Sequence, residues 1–150
     1  MKEKLEIFID GACRGNPGPA AVGVVIYQNG VILKKLSKCI GHATNNLAEY
    51  SALIYALQEA LLLKAEEIQI HTDSQLMFNQ LKGDYKINSP QLKELFTQVK
   101  ELAGGFKKIS FKQIPREKNQ EADKLAGEVL NQALKNEQAK VIAPTFNFTT

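Results

Sequence analysis

Apolar and polar positions fall along this chain in blocks that read as separate elements. Residues 4–10 carry an apolar run that ends in Asp10-Gly11 and predict a strand. Residues 20–28 and 31–40 predict two more, joined by Asn29-Gly30, a two-residue hairpin signal. The stretch 11–19 (GACRGNPGP) between the first two reads as a turn-rich loop. From 45 to 63 the period becomes helical, with Leu47, Tyr50, Leu53, Ile54, Leu57 and Leu61 on one face. Thr44 or Asn45 supplies its N-cap. Residues 67–72 predict a buried strand and 74–81 a short helix ending near Gly83. Pro90–Ala103 predicts another helix, capped by Ser89, opened by Pro90 and stopped by Gly104-Gly105. Residues 107–114 predict a fifth strand and 120–134 a last helix. One domain is expected over 1–138, followed by a tail, 139–150, either docked or flexible. Val141, Ile142, Phe146 and Phe148 make that tail apolar enough to dock.

The order βββαβααβα implies an α/β fold with a five-stranded mixed sheet. Strands 1-2-3 form an antiparallel meander, two parallel strands arrive by helical crossovers, and helices flank the sheet. Ligands of open α/β sheets bind at the carboxyl ends of strands. Asp10 and Asp73 end two apolar runs, and Glu49 and Asp123 lie near the starts of two predicted helices. Taken singly, each is an ordinary turn or cap acid. Together they fall on one predicted edge. Converging carboxylates repel unless cations lie between them, and oxygen-only ligands suit Mg²⁺ or Mn²⁺. Such a cluster titrates as coupled groups, with at least one pKa raised when no metal is bound.

Composition narrows this only a little. At 150 residues with 44% hydrophobic content, the chain can bury a full core. No apolar run is long enough to span a membrane, and Met1-Lys2-Glu3-Lys4 leads straight into a strand pattern. The expectation is a cytoplasmic protein, a monomer by default. Cys13 and Cys39 are read as free thiols, with a disulfide between them left open. A net charge of +3 becomes clearly basic once metals offset the four acids, which suits an anionic polymer.

Four segments carry a family resemblance: FIDGACRGNPGPAAVGVVIY (8–27), ATNNLAEYSALIYAL (43–57), IHTDSQLMFNQLKG (70–83) and NQEADKLA (119–126). In this order and spacing the chain resembles ribonuclease H of type 1, over residues 5 to about 134. The resemblance implies the ribonuclease H-like fold and a metal-dependent endonuclease. That enzyme hydrolyses the RNA strand of RNA–DNA hybrids and leaves 5′-phosphate and 3′-hydroxyl ends. It further implies two divalent ions on Asp10, Glu49, Asp73 and Asp123, with Asp10 bridging and Asp123 the most mobile. Two metals about 4 Å apart can serve both ends of an in-line displacement.

For the substrate, the resemblance implies Asn16, Asn45, Asn46 and Gln75 in the minor groove, at RNA 2′-hydroxyls. A side-chain amide offers the donor and acceptor that a 2′-hydroxyl needs. Backbone amides around Cys13, Arg14 and Gly15 are expected to help, and Thr44 and Asn88 to hold a DNA-strand phosphate. The chain departs from the family in two ways. No histidine precedes Asp123 in 113–119; Arg116 stands nearest, able to bind charge but not to act as a base. Only Lys82 to Ser89 fills the place of the basic handle found in some members, which implies a handle-less subgroup with weaker, more salt-sensitive binding. His71 is expected to be structural and His42 to lie near the phosphate backbone. Two rival readings share the fold: a two-metal DNA nuclease, and a hybrid-binding module without turnover. The asparagines argue against the first, and the four retained acids against the second.

Overall fold

The computed structural model describes the backbone of residues 4–147 and the side chains of residues 4–137. A single sheet of five strands runs β3-β2-β1-β4-β5. Its strands are β1 (Lys4–Cys13), β2 (Gly18–Gln28), β3 (Val31–Ala43), β4 (Glu67–Thr72) and β5 (Lys108–Gln113). β1–β2 and β2–β3 pair antiparallel, β1–β4 and β4–β5 parallel, as the element order predicts. The turn between β2 and β3 places Asn29 and Gly30 at φ +53° and +77°, the left-handed pair that an Asn-Gly hairpin supplies.

β2 is buried along nearly its whole length because helices cover both of its faces. One layer is α1 (Asn45–Leu62), with α2 (Gln75–Lys82) and α3 (Pro90–Ala103) beside it. It buries Leu5, Ile7, Ile9, Ile68 and Ile70 of the sheet against Tyr50, Leu53 and Leu57. The opposite face carries α4 (Gln120–Asn147), which lies across β2 at Gly23. A Cβ on Gly23 would sit 2.2 Å from the Ala122 carbonyl oxygen. Only glycine lets the helix come this close, and Asp123 is the next residue of that helix.

Several boundaries differ from expectation. β1 runs on through Asp10 to Cys13, because Asp10 to Cys13 pair with Gly23 to Ala20. The parallel β1–β4 pairing stops at Phe8–His71. Asp10 therefore does not end its strand; it sits where β1 and β4 part. β2 and β3 extend the meander to Gly18 and Ala43 for the same reason, their backbone groups pairing across the ladder. Ser74 caps α2 rather than beginning it, its hydroxyl accepting from the Met77 N–H at 3.1 Å. α4 passes the expected end at Leu134 and continues to Asn147, taking in most of the expected tail. Docking of Val141, Ile142, Phe146 and Phe148 lies outside the described side chains. Both cysteines are free: Cys13 Sγ donates to Ala43 O at 2.9 Å and Cys39 Sγ to Val129 O at 3.5 Å.

Candidate active site

Three of the four acids meet where β1 and β4 part, just past the carboxyl end of β4. One carboxylate oxygen from each of Asp10, Glu49 and Asp73 lies within 4.8 Å of the others. Asp10 and Glu49 are buried, and Asp73 partly so. Glu49 arrives because α1 packs directly on β1: a Cβ on Gly11 would stand 2.6 Å from Ala48 C and 2.8 Å from Glu49 N. Gly11 N–H then donates to Glu49 Oε1 at 2.5 Å and to Asp10 Oδ1 at 3.0 Å. Asp123 is exposed on the first turn of α4 and adds, as the smallest of several causes, to the upward push on the Asp10 carboxyl.

This arrangement is electrostatically uncompensated. Burial, with Glu49 and Asp73 beside it, pushes the Asp10 carboxyl up to about 10. Burial pushes Glu49 up to about 7, opposed by the hydrogen bonds from Asp10 and Gly11 and by the charge of Arg116. Arg116 itself is exposed on a short 3-10 turn, Arg116–Lys118. Glu49 Oε2 is buried without a partner among the described residues. Repelling carboxylates with an idle buried oxygen fit a hard divalent cation. Lewis acidity and phosphate positioning are what such an ion offers.

A polar cleft of about 530 Å³ opens beside Glu49, lined by Asn16, Thr44, Asn45, Asn46, Ser74, Gln75 and Leu76. Asn16 Oδ1 accepts from Asn45 N–H at 2.9 Å and ties the loop after β1 to the first turn of α1. Thr44 caps α1, its hydroxyl accepting from Leu47 N–H at 3.2 Å. Asn46 Nδ2 reaches Gln80 Oε1 at 3.5 Å, which also accepts from Tyr50 OH at 3.0 Å. The cleft thus gathers Asn16, Thr44, Asn45, Asn46 and Gln75. Cys13, Arg14, Gly15, Asn88 and Arg116 lie outside its lining. Arg14 N–H already donates to Pro19 O at 2.8 Å, so that amide is spent within the turn. The Arg14 side chain points to Asn131 of α4, and Asn88 is exposed between α2 and α3.

Asn119 has a role that its setting in the sequence does not signal. It is 1% exposed, and its Nδ2 donates to Ile9 O at 2.8 Å and Asp73 Oδ2 at 3.1 Å. An asparagine just before a helix looks like a cap, which hides this task. His71 is buried, stacked on Phe8 with ring centroids 4.2 Å apart, and meets Glu6 Oε1 at 3.1 Å. It is structural, as expected. His42 is exposed.

Comparison with known proteins agrees with this geometry. A family model described as reverse transcriptase-like matches residues 8–129. Ribonuclease HI of Halobacterium salinarum is 44% identical over 131 residues, 87% of this chain and 66% of that protein. The crystal structure of RNase H1 from that archaeon superposes with a TM-score of 0.84 at 43% identity, covering 86% of this chain and 98% of that one. LC11-RNase H1, solved in complex with an RNA/DNA hybrid, gives 0.82 at 41% identity, covering 87% and 99%. A bifunctional protein of Mycobacterium tuberculosis is 37% identical over 147 residues, 93% of this chain. The chain spans only 40% of that relative's length. With the meander, the buried acids and the asparagine-lined cleft in place, the chain belongs to the type 1 ribonuclease H family.

Proposed function

We propose that this chain is an endoribonuclease that hydrolyses the RNA strand of RNA–DNA hybrids and leaves 5′-phosphate and 3′-hydroxyl ends. The observation that carries the reading is the convergence of Asp10, Glu49 and Asp73 within 4.8 Å, beside a cleft lined by side-chain amides. Asp10, Glu49, Asp73 and Asp123 would hold two divalent cations, Mg²⁺ or Mn²⁺. Bound there, the cations supply the Lewis acidity that activates water and stabilises the departing oxygen.

The protein's own groups do the rest. Gly11 N–H and Asn119 each hold one oxygen of Glu49 and Asp73, which leaves the other oxygen of each for a cation. Asn16, Asn45, Asn46 and Gln75 present donors and acceptors along the cleft that leads to Glu49. Amides read a 2′-hydroxyl where duplex DNA has none, which favours an RNA strand. Thr44 and Asn88 would hold a DNA-strand phosphate, and backbone amides around Cys13 and Gly15 would join the asparagines at the RNA 2′-hydroxyls. Arg116, which already stabilises charged Glu49, binds phosphate rather than moving protons. With α2 and α3 joined only by residues 83–89, phosphate contacts are few and binding should be salt-sensitive.

The test incubates the protein with a labelled RNA–DNA hybrid, double-stranded DNA and double-stranded RNA, each with Mg²⁺, Mn²⁺ or EDTA. Cleavage confined to the hybrid's RNA strand and abolished by EDTA is expected. Cleavage of duplex DNA would turn the reading to a DNA nuclease. Tight hybrid binding without cleavage would turn it to an inert binding module.

A further inference from the structure

We infer that Asn119 is the positioning residue of this active site: its side-chain amide clamps Asp73 to β1 while its backbone starts the helix that delivers Asp123. The inference rests on the hybrid-cleaving reading for its kinetic readout, and on geometry alone for its binding readout.

The parallel pairing of β1 with β4 ends at Phe8–His71, before either strand reaches its acid. Beyond that point the two strand ends need another tie if Asp10 and Asp73 are to keep one spacing. Asn119 Nδ2 spans the gap, donating to Ile9 O at 2.8 Å and Asp73 Oδ2 at 3.1 Å. Ile9 is the residue before Asp10. Both partners are acceptors only, so the NH₂ and not the oxygen must face them. One amide group uses its two hydrogens on the two strands that carry the acids.

The same residue acts again through its backbone. Asn119 O accepts from Asp123 N–H at 3.1 Å, the bond that opens α4. Asp123 stands on the first turn of that helix. One buried residue therefore fixes the chain beside three of the four carboxylates. Asn119 Oδ1 meanwhile has no partner among the described residues. An unpaired buried acceptor is unfavourable, and an apolar residue here would avoid it. The donor function is what that cost maintains.

No common residue repeats this geometry. Aspartate has the shape but no donor when ionised, and would add charge to an acidic site. Alanine leaves Ile9 O unpaired and Asp73 free to rotate. Groups that orient metal ligands typically contribute about 10- to 100-fold in metal affinity or activity.

The experiment compares the full chain with Asn119→Ala and Asn119→Asp. Mn²⁺ binding is measured by calorimetry, hybrid cleavage by kcat and KM, and thermal midpoint in EDTA. For Asn119→Ala we expect Mn²⁺ affinity and kcat each to fall roughly tenfold or more. KM for the hybrid should stay within about twofold, because the amide cleft is intact. Asn119→Asp should not rescue kcat despite its matching shape. A lower thermal midpoint with Mn²⁺ affinity and kcat unchanged would overturn the inference, since that is what a purely structural asparagine would do. If neither variant folds, nuclear magnetic resonance of the unaltered chain decides. The Asn119 side-chain amide protons should exchange slowly and shift as Mg²⁺ is added; free exchange without a shift would also overturn it. An unaltered chain that binds Mn²⁺ but cuts no hybrid would defeat the proposed function, while the binding comparison would still decide Asn119.

Discussion

Around strands β1 and β4 lie two titratable groupings only a few residues apart, His71 with Glu6 and Asp10 with Glu49, and the fold treats them in opposite ways. At Phe8–His71, the last parallel rung, an imidazole stacks on a phenyl ring and meets the half-exposed carboxylate of Glu6. Burial lowers the His71 pKa, while Glu6 pulls it back up. That pair is compensated. One step further along, Asp10 and Glu49 are just as buried and face a third acid instead of a base. Both are pushed up rather than held down. Among the described residues the fold sets a carboxylate beside His71, but only further acids and the Gly11 N–H beside Asp10. The difference marks the second pair as a site waiting for an external cation, and the first as part of the frame.

The sharpest break in the comparison is to neutralise one acid on each side of it. Asp73→Asn should cost at least a hundredfold in hybrid cleavage, the upper end of what losing a group that merely orients a ligand costs. Glu6→Gln should leave cleavage within about twofold, since half-exposed pairs contribute little. Stability should move the other way. Asp10→Asn replaces a carboxyl that the fold keeps protonated where the unfolded chain would ionise it, and should raise the metal-free thermal midpoint at neutral pH by about 2–4 °C for each kcal/mol of that cost removed. Kinetics and calorimetry in EDTA check both halves. Cleavage that survived Asp73→Asn would place the chemistry elsewhere.

The pairs should also oppose each other in pH. In the unfolded chain Asp10 and Glu49 lose their protons near 3.8 and 4.5; folded, they hold them to about 10 and about 7. The folded state thus binds more protons across that interval. Their contribution is complete below the unfolded values and is lost as pH rises, by up to about 1.4 kcal/mol per unit for each group. His71 has the opposite sign: its folded pKa is lowered, so its contribution is present above the unfolded value and lost as pH falls. Metal-free thermal midpoints should therefore decline from pH 5 toward pH 8, and saturating Mn²⁺ should flatten the decline. Asp10→Asn should remove much of it. A metal-free profile that rose over this range would show His71 to dominate and the acids to be compensated after all.

Gly11 tests how closely the uncompensated pair is held. In Gly11→Ala the new methyl meets the backbone of Ala48 and Glu49, which cannot swing aside as a side chain can. Overpacking of this kind costs about 1–3 kcal/mol. The first turn of α1 should lift and take Glu49 out of reach of Gly11 N–H. Cleavage should fall more than tenfold, with a lower thermal midpoint. A Gly30→Ala control meets no neighbour within 4 Å and should leave cleavage intact, although its positive φ makes some loss of stability acceptable.

Much of this is legible in the sequence. Alternation and the Asn29-Gly30 turn define the meander, and the shift to helical spacing after Thr44 defines α1. Asp10 and Asp73 stand out because they end apolar runs, and Glu49 and Asp123 because they lie near predicted helix starts on the same edge. What stayed hidden was contact between distant residues. Nothing local shows that Gly11 is a glycine because Ala48 lies on it, or that Gly23 serves α4 in the same way. Asn119 looks like a helix cap, and its long-range bonds to Ile9 and Asp73 leave no periodic trace. Arg14 N–H looked available because the loop's internal pairing to Pro19 depends on a turn geometry that GNPGP does not spell out. The end of α4 was misplaced because hydrophobic spacing weakens after Leu134 while the helix persists.

The smallest expected effect separates the cleft from the metal edge. Asn45 is exposed at the start of α1; its own N–H is held by Asn16, which leaves its side chain free for a ligand. Asn46 differs: it is half-buried and bonded to Gln80, so its removal would disturb Tyr50 as well. Asn45→Ala is therefore the cleaner probe. One hydrogen bond to a neutral group contributes about 1 kcal/mol net, about a fivefold change in KM. We expect KM for the hybrid to rise by that factor while kcat, Mn²⁺ affinity and thermal midpoint hold. Replacing the contacted ribonucleotide by its deoxy form should reproduce the loss in the unaltered chain and add nothing in the variant. If the two losses instead multiplied, Asn45 would not be reading the 2′-hydroxyl, and discrimination for RNA would have to reside in Asn16, Asn46 or Gln75.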